Sequence, residues 1–307
     1  MESGTGASDF QEAVSPTAPG CTQGPGKRRK SGFRLRPRRM SIQPFTALAC
    51  PLDGAPLNRQ GTAWQCATGH SFDIASQGHT HLLPVQHKRS LDPGDSKEMV
   101  AARRRFLNAG HYQPIAEAVA RATLDGLPNE AACLDAGCGE GYYLRQLAAA
   151  ATTANKTLAV LGLDISKWAV LAAARQDARP NWVVGTNARL PVLDGTVDRL
   201  LCLFGFPVYG EFARVLRPGG QLVQVDAGPD HLRELREIIY PTLKPQRPAD
   251  SSAPDGFTRL AEDGVRFALR LDSQEAIADL LAMTPHLYRA SAEGRARAAA
   301  LSELVLT

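Results

Sequence analysis

A chain of 307 residues with 44% hydrophobic content is long enough for one full α/β domain and a small appendage, with enough apolar residues for a sizeable core. The formal charge of +4 comes from residues 1–40, where eight Lys and Arg face three acids; the remainder is close to neutral, which excludes a globally basic fold. No apolar run could form a membrane span or a secretory signal, and six scattered cysteines suit a reducing cytoplasm.

Residues 1–40 are rich in Gly, Ser, Pro and Arg without apolar periodicity, which predicts a disordered basic tail with nonspecific phosphate affinity. Met40 directly precedes the first ordered stretch, so translation starting there is an equal alternative. Residues 46–85 read as a turn-rich module too small to bury a core, which requires a staple. The spacing Cys50-x2-Asp53, twelve intervening residues, then Cys66-x3-His70 supplies one, because two such loops bring four ligands to a tetrahedral point. Zinc is the expected ion, although Asp53 offers a harder oxygen where a thiolate would bind better. Packing of Trp64, Phe72 and Ile74 against a neighbour is the alternative staple.

Residues 86–125 read as a basic connector and two helices, over 96–109 and 112–124. His87, Lys88 and Arg89, with Lys97, Arg103, Arg104 and Arg105, form a cluster suited to RNA phosphates, although the three consecutive arginines cannot share one helix face. From 126 to 307, strands are predicted at 132–136, 159–163, 181–184, 197–203 and 221–225, and helices at 141–150, 167–175 and 210–216. A strand at 265–271 and a helix at 273–283 follow. This alternation demands a parallel sheet. Cys133, Cys138 and Cys202 fit its interior as small hydrophobes.

The most informative stretch is Leu134-Asp135-Ala136-Gly137-Cys138-Gly139-Glu140-Gly141-Tyr142, with a second strand ending at Asp164. Glycines at the end of a first strand allow a sharp turn and close approach of a ligand, and an acid about twenty residues later can hold ribose hydroxyls. The spacing is G-x-G-x-G rather than the dinucleotide G-x-G-x-x-G, and Glu140 would repel a pyrophosphate. S-adenosylmethionine, cationic and without phosphate, fits that combination; a nicotinamide cofactor and an empty glycine turn are the weaker alternatives. Asp135, Gly137, Gly139, Glu140, Gly141 and Asp164 are the cofactor-binding candidates. Tyr112 and His231 can stack on or cap such a site, or simply pack. Phe204-Gly205-Phe206-Pro207 follows the 197–203 strand at the sheet's carboxyl edge, where its rings can hold a flat base.

The chain resembles the bacterial 23S rRNA (guanine-N1)-methyltransferases over about residues 48 to 290. The matching motifs are the Cys50–His70 knuckle, Leu82-Leu83-Pro84-Val85-Gln86-His87-Lys88-Arg89-Ser90, Asp92-Pro93-Gly94-Asp95-Ser96, the run from Phe106 through Ala109-Gly110-His111-Tyr112-Gln113-Pro114, Asp135 to Tyr143, and Met283-Thr284-Pro285. The resemblance implies a class I S-adenosylmethionine-dependent methyltransferase domain, Rossmann-like, with a small N-terminal zinc-ribbon-like module, acting on 23S rRNA in the cytoplasm as a homodimer. It also implies cofactor contacts at Gly139, Glu140, Tyr112 and His231, and zinc ligation by Cys50, Cys66 and His70. Asp53 departs from the family's cysteine, and the chain stops where a last antiparallel strand would begin. No residue can be named as general base. Rival readings are a methyltransferase of a small molecule or protein, for which the connector and module would be superfluous, and a non-catalytic RNA-binding protein that retains the fold.

Overall fold

The computed structural model describes residues 41–87, 90–243, 252–284 and 286–306. The predicted tail at 1–40, Lys88, Arg89 and the side chain of His87 lie outside what it describes.

The N-terminal part holds β1 (Ile42–Pro44), β2 (Asn58–Gln60), β3 (Ala63–Gln65), β4 (Ser71–Asp73) and β5 (His79–His81). Two helices follow, α1 (Lys97–Asn108) and α2 (Gln113–Leu124). Then come β6 (Glu130–Ala136), α3 (Tyr142–Thr153), β7 (Thr157–Asp164), α4 (Lys167–Gln176), β8 (Asn181–Val184), β9 (Val197–Leu203), α5 (Tyr209–Val215) and β10 (Leu216–Val225). The C-terminal part adds α6 (Arg233–Ile239), β11 (Leu269–Leu271), α7 (Gln274–Ala282), α8 (His286–Arg289), α9 (Ala292–Ala299) and β12 (Leu304–Leu306). Local chemistry sets the helix starts: the Ser96, Ser166 and Ser273 side chains accept the amide hydrogens of Met99, Ala169 and Ala276, satisfying donors that the first turn leaves free.

Seven strands make one parallel sheet in the order β10-β9-β6-β7-β8-β5, with β1 joining the same edge of β7 that β8 occupies further along. The order runs outward from β6 in both directions, so the chain reverses between β6 and β9. A crevice opens there at the carboxyl ends of the strands, the usual ligand position in such sheets. Alternation divides the sheet's two faces. Cys133, Leu158 and Val160 pack with Phe106, Val119, Leu147, Val170 and Trp182, while Leu134, Leu161, Leu163 and Leu200 pack with Phe45, Leu48, Trp64 and Phe212.

The second face explains how the small module is built in. β2, β3 and β4 form an antiparallel ribbon, whereas β1 before it and β5 after it are strands of the large sheet. Residues 185–196, between β8 and β9, contain no helix. The module covers this stretch instead: the amide of Ala49 donates to the Pro191 carbonyl and that of Leu193 to the Ala47 carbonyl, each at 3.0 Å. Trp64 and Phe45 therefore belong to the same core as the sheet residues Leu134 and Leu200.

The predicted strand at 265–271 is corrected to its last three residues. Only Leu269–Leu271 finds a partner, the antiparallel β12, and this pair forms its own two-stranded sheet. Cys133, Cys138 and Cys202 are buried as expected, and burial pushes the Cys133 and Cys202 thiols up to about 12.

Candidate functional site

The crevice at the reversal point is lined by the loop after β6 and the loop after β9. Gly137 has φ +109°, and no atom lies within 4 Å of where its Cβ would be, so this backbone faces open space. Gly141 serves another purpose: a Cβ there would meet the Trp182 ring at 2.7 Å, so its lack of a side chain lets the loop close onto the core. The amide of Gly139 donates to Asp164 Oδ2 at 2.9 Å and that of Ser166 to Oδ1 at 2.8 Å. Each oxygen keeps a lone pair for a further donor such as a ribose hydroxyl.

Asp135 lies in the interior at the end of β6 and is 1% exposed, yet neither carboxylate oxygen has a hydrogen-bond partner. Burial, aided by the nearby charge of Asp164, pushes its carboxyl up to about 8. An unpartnered buried carboxyl beside an open backbone can ionise against a cationic ligand and would have to stay protonated beside a pyrophosphate, so the site favours the cation. The reading that gave this discriminating role to Glu140 is corrected. The Glu140 carboxylate is buried away from solvent, accepts from Arg145 Nη2 at 3.1 and 3.2 Å and from Gln176 Nε2 at 2.6 Å, and so ties the loop to α3 and α4.

Tyr112, Phe204 and His231, far apart in sequence, meet at this crevice. The Tyr112 ring centroid is 6.5 Å from that of Phe204 and 6.2 Å from that of His231, and Phe204 stacks on His231 at 6.0 Å. The Tyr112 hydroxyl is buried without a partner, and burial holds it above the usual phenol range. Burial, with the nearby charge of Arg236, also lowers the His231 imidazole. Phe204 (φ +53°) and Leu232 (φ +52°) adopt left-handed backbone that bulky residues avoid, a cost that recurs at functional sites. Phe206 is 87% exposed at the rim. Asn187, absent from the sequence candidates, donates through Nδ2 to the carbonyls of Ala136 and Phe206, at 3.2 Å each, and so pins the aromatic loop to the end of β6. Phe267 also reaches Tyr112, at 6.4 Å, from the segment read as a strand, where no motif singled it out.

The connector docks beside the Asp164 end of the crevice. Ser166 Oγ donates to the Asp95 carbonyl at 2.7 Å and Trp168 Nε1 to Asp92 Oδ2 at 2.7 Å. The expected basic cluster is corrected in part: Arg103 is ion-paired with Asp95 and donates to the Met283 carbonyl, and Arg105 pairs with the buried Asp279. Arg104 stays exposed.

In the module, Cys50, Asp53, Cys66 and His70 bring one ligand atom each within 4.8 Å of one another. His70 Nδ1 lies 3.5 Å from Cys50 Sγ, 3.4 Å from Cys66 Sγ and 3.1 Å from Asp53 Oδ2; Cys66 Sγ lies 3.7 Å from Asp53 Oδ2. Tetrahedral zinc with such ligands has edges of about 3.3 to 3.8 Å, close to these four separations, and two thiols, an imidazole and a carboxylate are donors that zinc accepts. The Thr68 hydroxyl and the Ala55 amide hold the Asp53 carboxyl well below the usual carboxylate range, keeping it ionised for a metal.

Two family models match parts of the chain. Residues 48–91 match a family model described as "RlmA, N-terminal", and residues 133–220 match one described as "Methyltransferase domain". A 23S rRNA (guanine(748)-N(1))-methyltransferase of Streptomyces fradiae is 35% identical over 259 residues, covering 81% of this chain and 89% of that protein. A Micromonospora griseorubida protein provisionally named a 23S rRNA (guanine-N(1)-)-methyltransferase is 37% identical over 282 residues, covering 84% and 92%. A Bacillus subtilis protein with the same provisional name, YxjB, is 32% identical over 256 residues, covering 80% and 88%.

Proposed function

The chain belongs to the 23S rRNA (guanine-N1)-methyltransferases, and on that footing we infer that it transfers a methyl group from S-adenosylmethionine to N1 of a guanine in 23S rRNA. The observation that carries the reading is the unpaired buried carboxylate of Asp135 beside the open backbone of Gly137, with the Tyr112, Phe204 and His231 rings alongside. Asp135 would neutralise a cationic cofactor, Asp164 would hold its ribose, and Tyr112 would offer its free hydroxyl. A sulfonium methyl is already activated when the cofactor is bound, so this chain's residues mainly orient the acceptor and exclude water.

N1 lies on the pairing edge of guanine, so the base must be unpaired or flipped out and held by stacking. Phe204 and Phe206 are suited to that role, one half-buried against His231 and the other at the rim. Stacking on an aromatic ring is worth ~1–3 kcal/mol per base, so replacing both rings with Ala should slow single-turnover methylation of the RNA by roughly 10- to 100-fold. An unchanged rate for the double variant would remove these rings from the acceptor site. His87, Lys88 and Arg89 are proposed to meet RNA phosphates.

No helix among the described residues is long and apolar enough to cross a membrane. The cytoplasm, where ribosomes are built, is the proposed location, and a homodimer the proposed assembly, expected in sedimentation as one species of twice the chain mass. The function is tested by incubating the chain with labelled S-adenosylmethionine and 23S rRNA that lacks the modification. Label should enter the RNA; label entering only protein or small molecules would favour the other methyltransferase reading, and no transfer would favour a non-catalytic RNA binder.

A further inference from the structure

The carboxylate at position 53 raises a geometric problem that a thiolate would not. A cysteine offers one donor atom set by a single side-chain torsion, whereas an aspartate offers two equivalent oxygens on a second, broad torsion. Some neighbouring group has to select one oxygen and aim it at the metal position. Here both oxygens are fixed. Oδ1 accepts the Ala55 amide hydrogen at 2.9 Å, which closes a tight turn, and Oδ2 accepts the Thr68 hydroxyl hydrogen while facing His70 Nδ1 and Cys66 Sγ.

Thr68 is placed for this by the loop that carries two of the ligands. The Cys66 amide donates to the His70 carbonyl and the Gly69 amide to the Cys66 carbonyl, both at 3.1 Å, and Gly69 takes φ +92° to close the turn. Thr68 thus rides between Cys66 and His70, its Oγ1 2.9 Å from Cys66 Sγ and 3.3 Å from His70 Nδ1. Its side chain is exposed, so core packing does not explain these contacts. Outer hydrogen bonds of this kind orient metal ligands, and their loss commonly costs about 10- to 100-fold in metal affinity.

We propose that Thr68 is the positioning residue that makes Asp53 a working zinc ligand, so that the Cys50-Asp53-Cys66-His70 site depends on a hydroxyl that an all-thiolate version of position 53 would not need. The two positions form a functional pair. Asp53 supplies the fourth donor, and Thr68 supplies the direction in which it points.

The test is a double-mutant cycle on the full chain, with zinc affinity measured by competition with a chromophoric chelator in the absence of RNA and S-adenosylmethionine. Thr68→Val should weaken zinc binding about 10- to 100-fold, and Thr68→Ser, which keeps the hydroxyl, should restore most of it. In the Asp53→Cys background, which keeps the chain metal-loaded and folded, Thr68→Val should change affinity by less than about threefold, the residue left by its contact with Cys66. Equal losses in the two backgrounds, no loss in either, or no rescue by serine would each overturn the pairing. Because the readout is metal affinity, it stands apart from the methylation reading.

Discussion

Replacing Cys66 with Ser, or stripping the metal with a strong chelator, is expected to melt the methyltransferase sheet together with the ribbon, in one transition lowered by about 10 °C or more. Structural zinc contributes on the order of 10 kcal/mol to small modules of this type, and each kcal/mol moves the midpoint of a domain this size by about 2 °C. The ribbon strands are three residues each and β2 is wholly exposed, so apart from the packing of Trp64 the metal is what closes them. What they cover is the face of the large sheet. Without them Leu134, Leu161, Leu163 and Leu200 lose Trp64, and the 48–50 stretch that partners residues 191–193 loses its own bonds to Ala55 and Leu57. Thermal melts followed by near-ultraviolet and far-ultraviolet circular dichroism should coincide, with and without metal. Two separated transitions, the later one at the metal-loaded temperature, would show the module to be an independent appendage.

Asp135→Asn is expected to have two effects of opposite sign. The variant can no longer give up a proton and become an anion when a cationic cofactor docks beside it, and a hydrogen bond to a charged group is worth ~1.5–3 kcal/mol, so S-adenosylmethionine should bind about 10- to 100-fold more weakly. The cofactor-free protein should meanwhile become more stable. The folded carboxyl titrates at about 8, against about 3.9 when unfolded. The folded state therefore holds the extra proton throughout that interval, and stability that is full below about pH 4 declines as pH rises to about 8. Asparagine resembles the protonated acid and escapes this decline. The stability difference should be near zero at pH 4 and reach the order of a few kcal/mol at pH 8, readable as a midpoint raised by several degrees. Equal stability of variant and parent across this range, with cofactor affinity intact, would mean that Asp135 plays neither part.

How far these features could be read from the amino-acid order depended on whether they were local. Helices α1, α2, α4 and α7 carry their own stop and start chemistry, in Ser96, Ser166 and Ser273 and in the apolar spacing of Val100, Phe106 and Leu107, and the structure places them within a residue or two of expectation. Strands β6 to β9 are apolar runs broken by turns, equally legible, whereas β10 begins at Leu216, five residues before the predicted 221–225, with a register shift between Leu216 and Gln221. Strands β1 and β5 are only three residues long and exist because β7 and β8 offer free edges, which no local pattern records. Val265 to Ala268 illustrates the reverse: a strand-like run without an edge to join stays irregular.

The site divides along the same line. The glycines and Asp164 announce themselves by spacing. Glu140 shares the motif, but its orientation depends on Arg145 and Gln176, 5 and 36 residues further on, and these close around it. Asn187 and Phe267 carry no motif at all and reach the crevice only through the fold.

The central claim, methylation of guanine N1 in 23S rRNA, is tested most directly by the chemical identity of the product. 23S rRNA labelled by the chain should be digested to nucleosides and separated, and a parallel sample read by primer extension. All label should co-migrate with 1-methylguanosine, and extension should stop beside one guanine, because a methyl group on N1 blocks pairing. Label in any other nucleoside, or read-through at every guanine, would contradict the account.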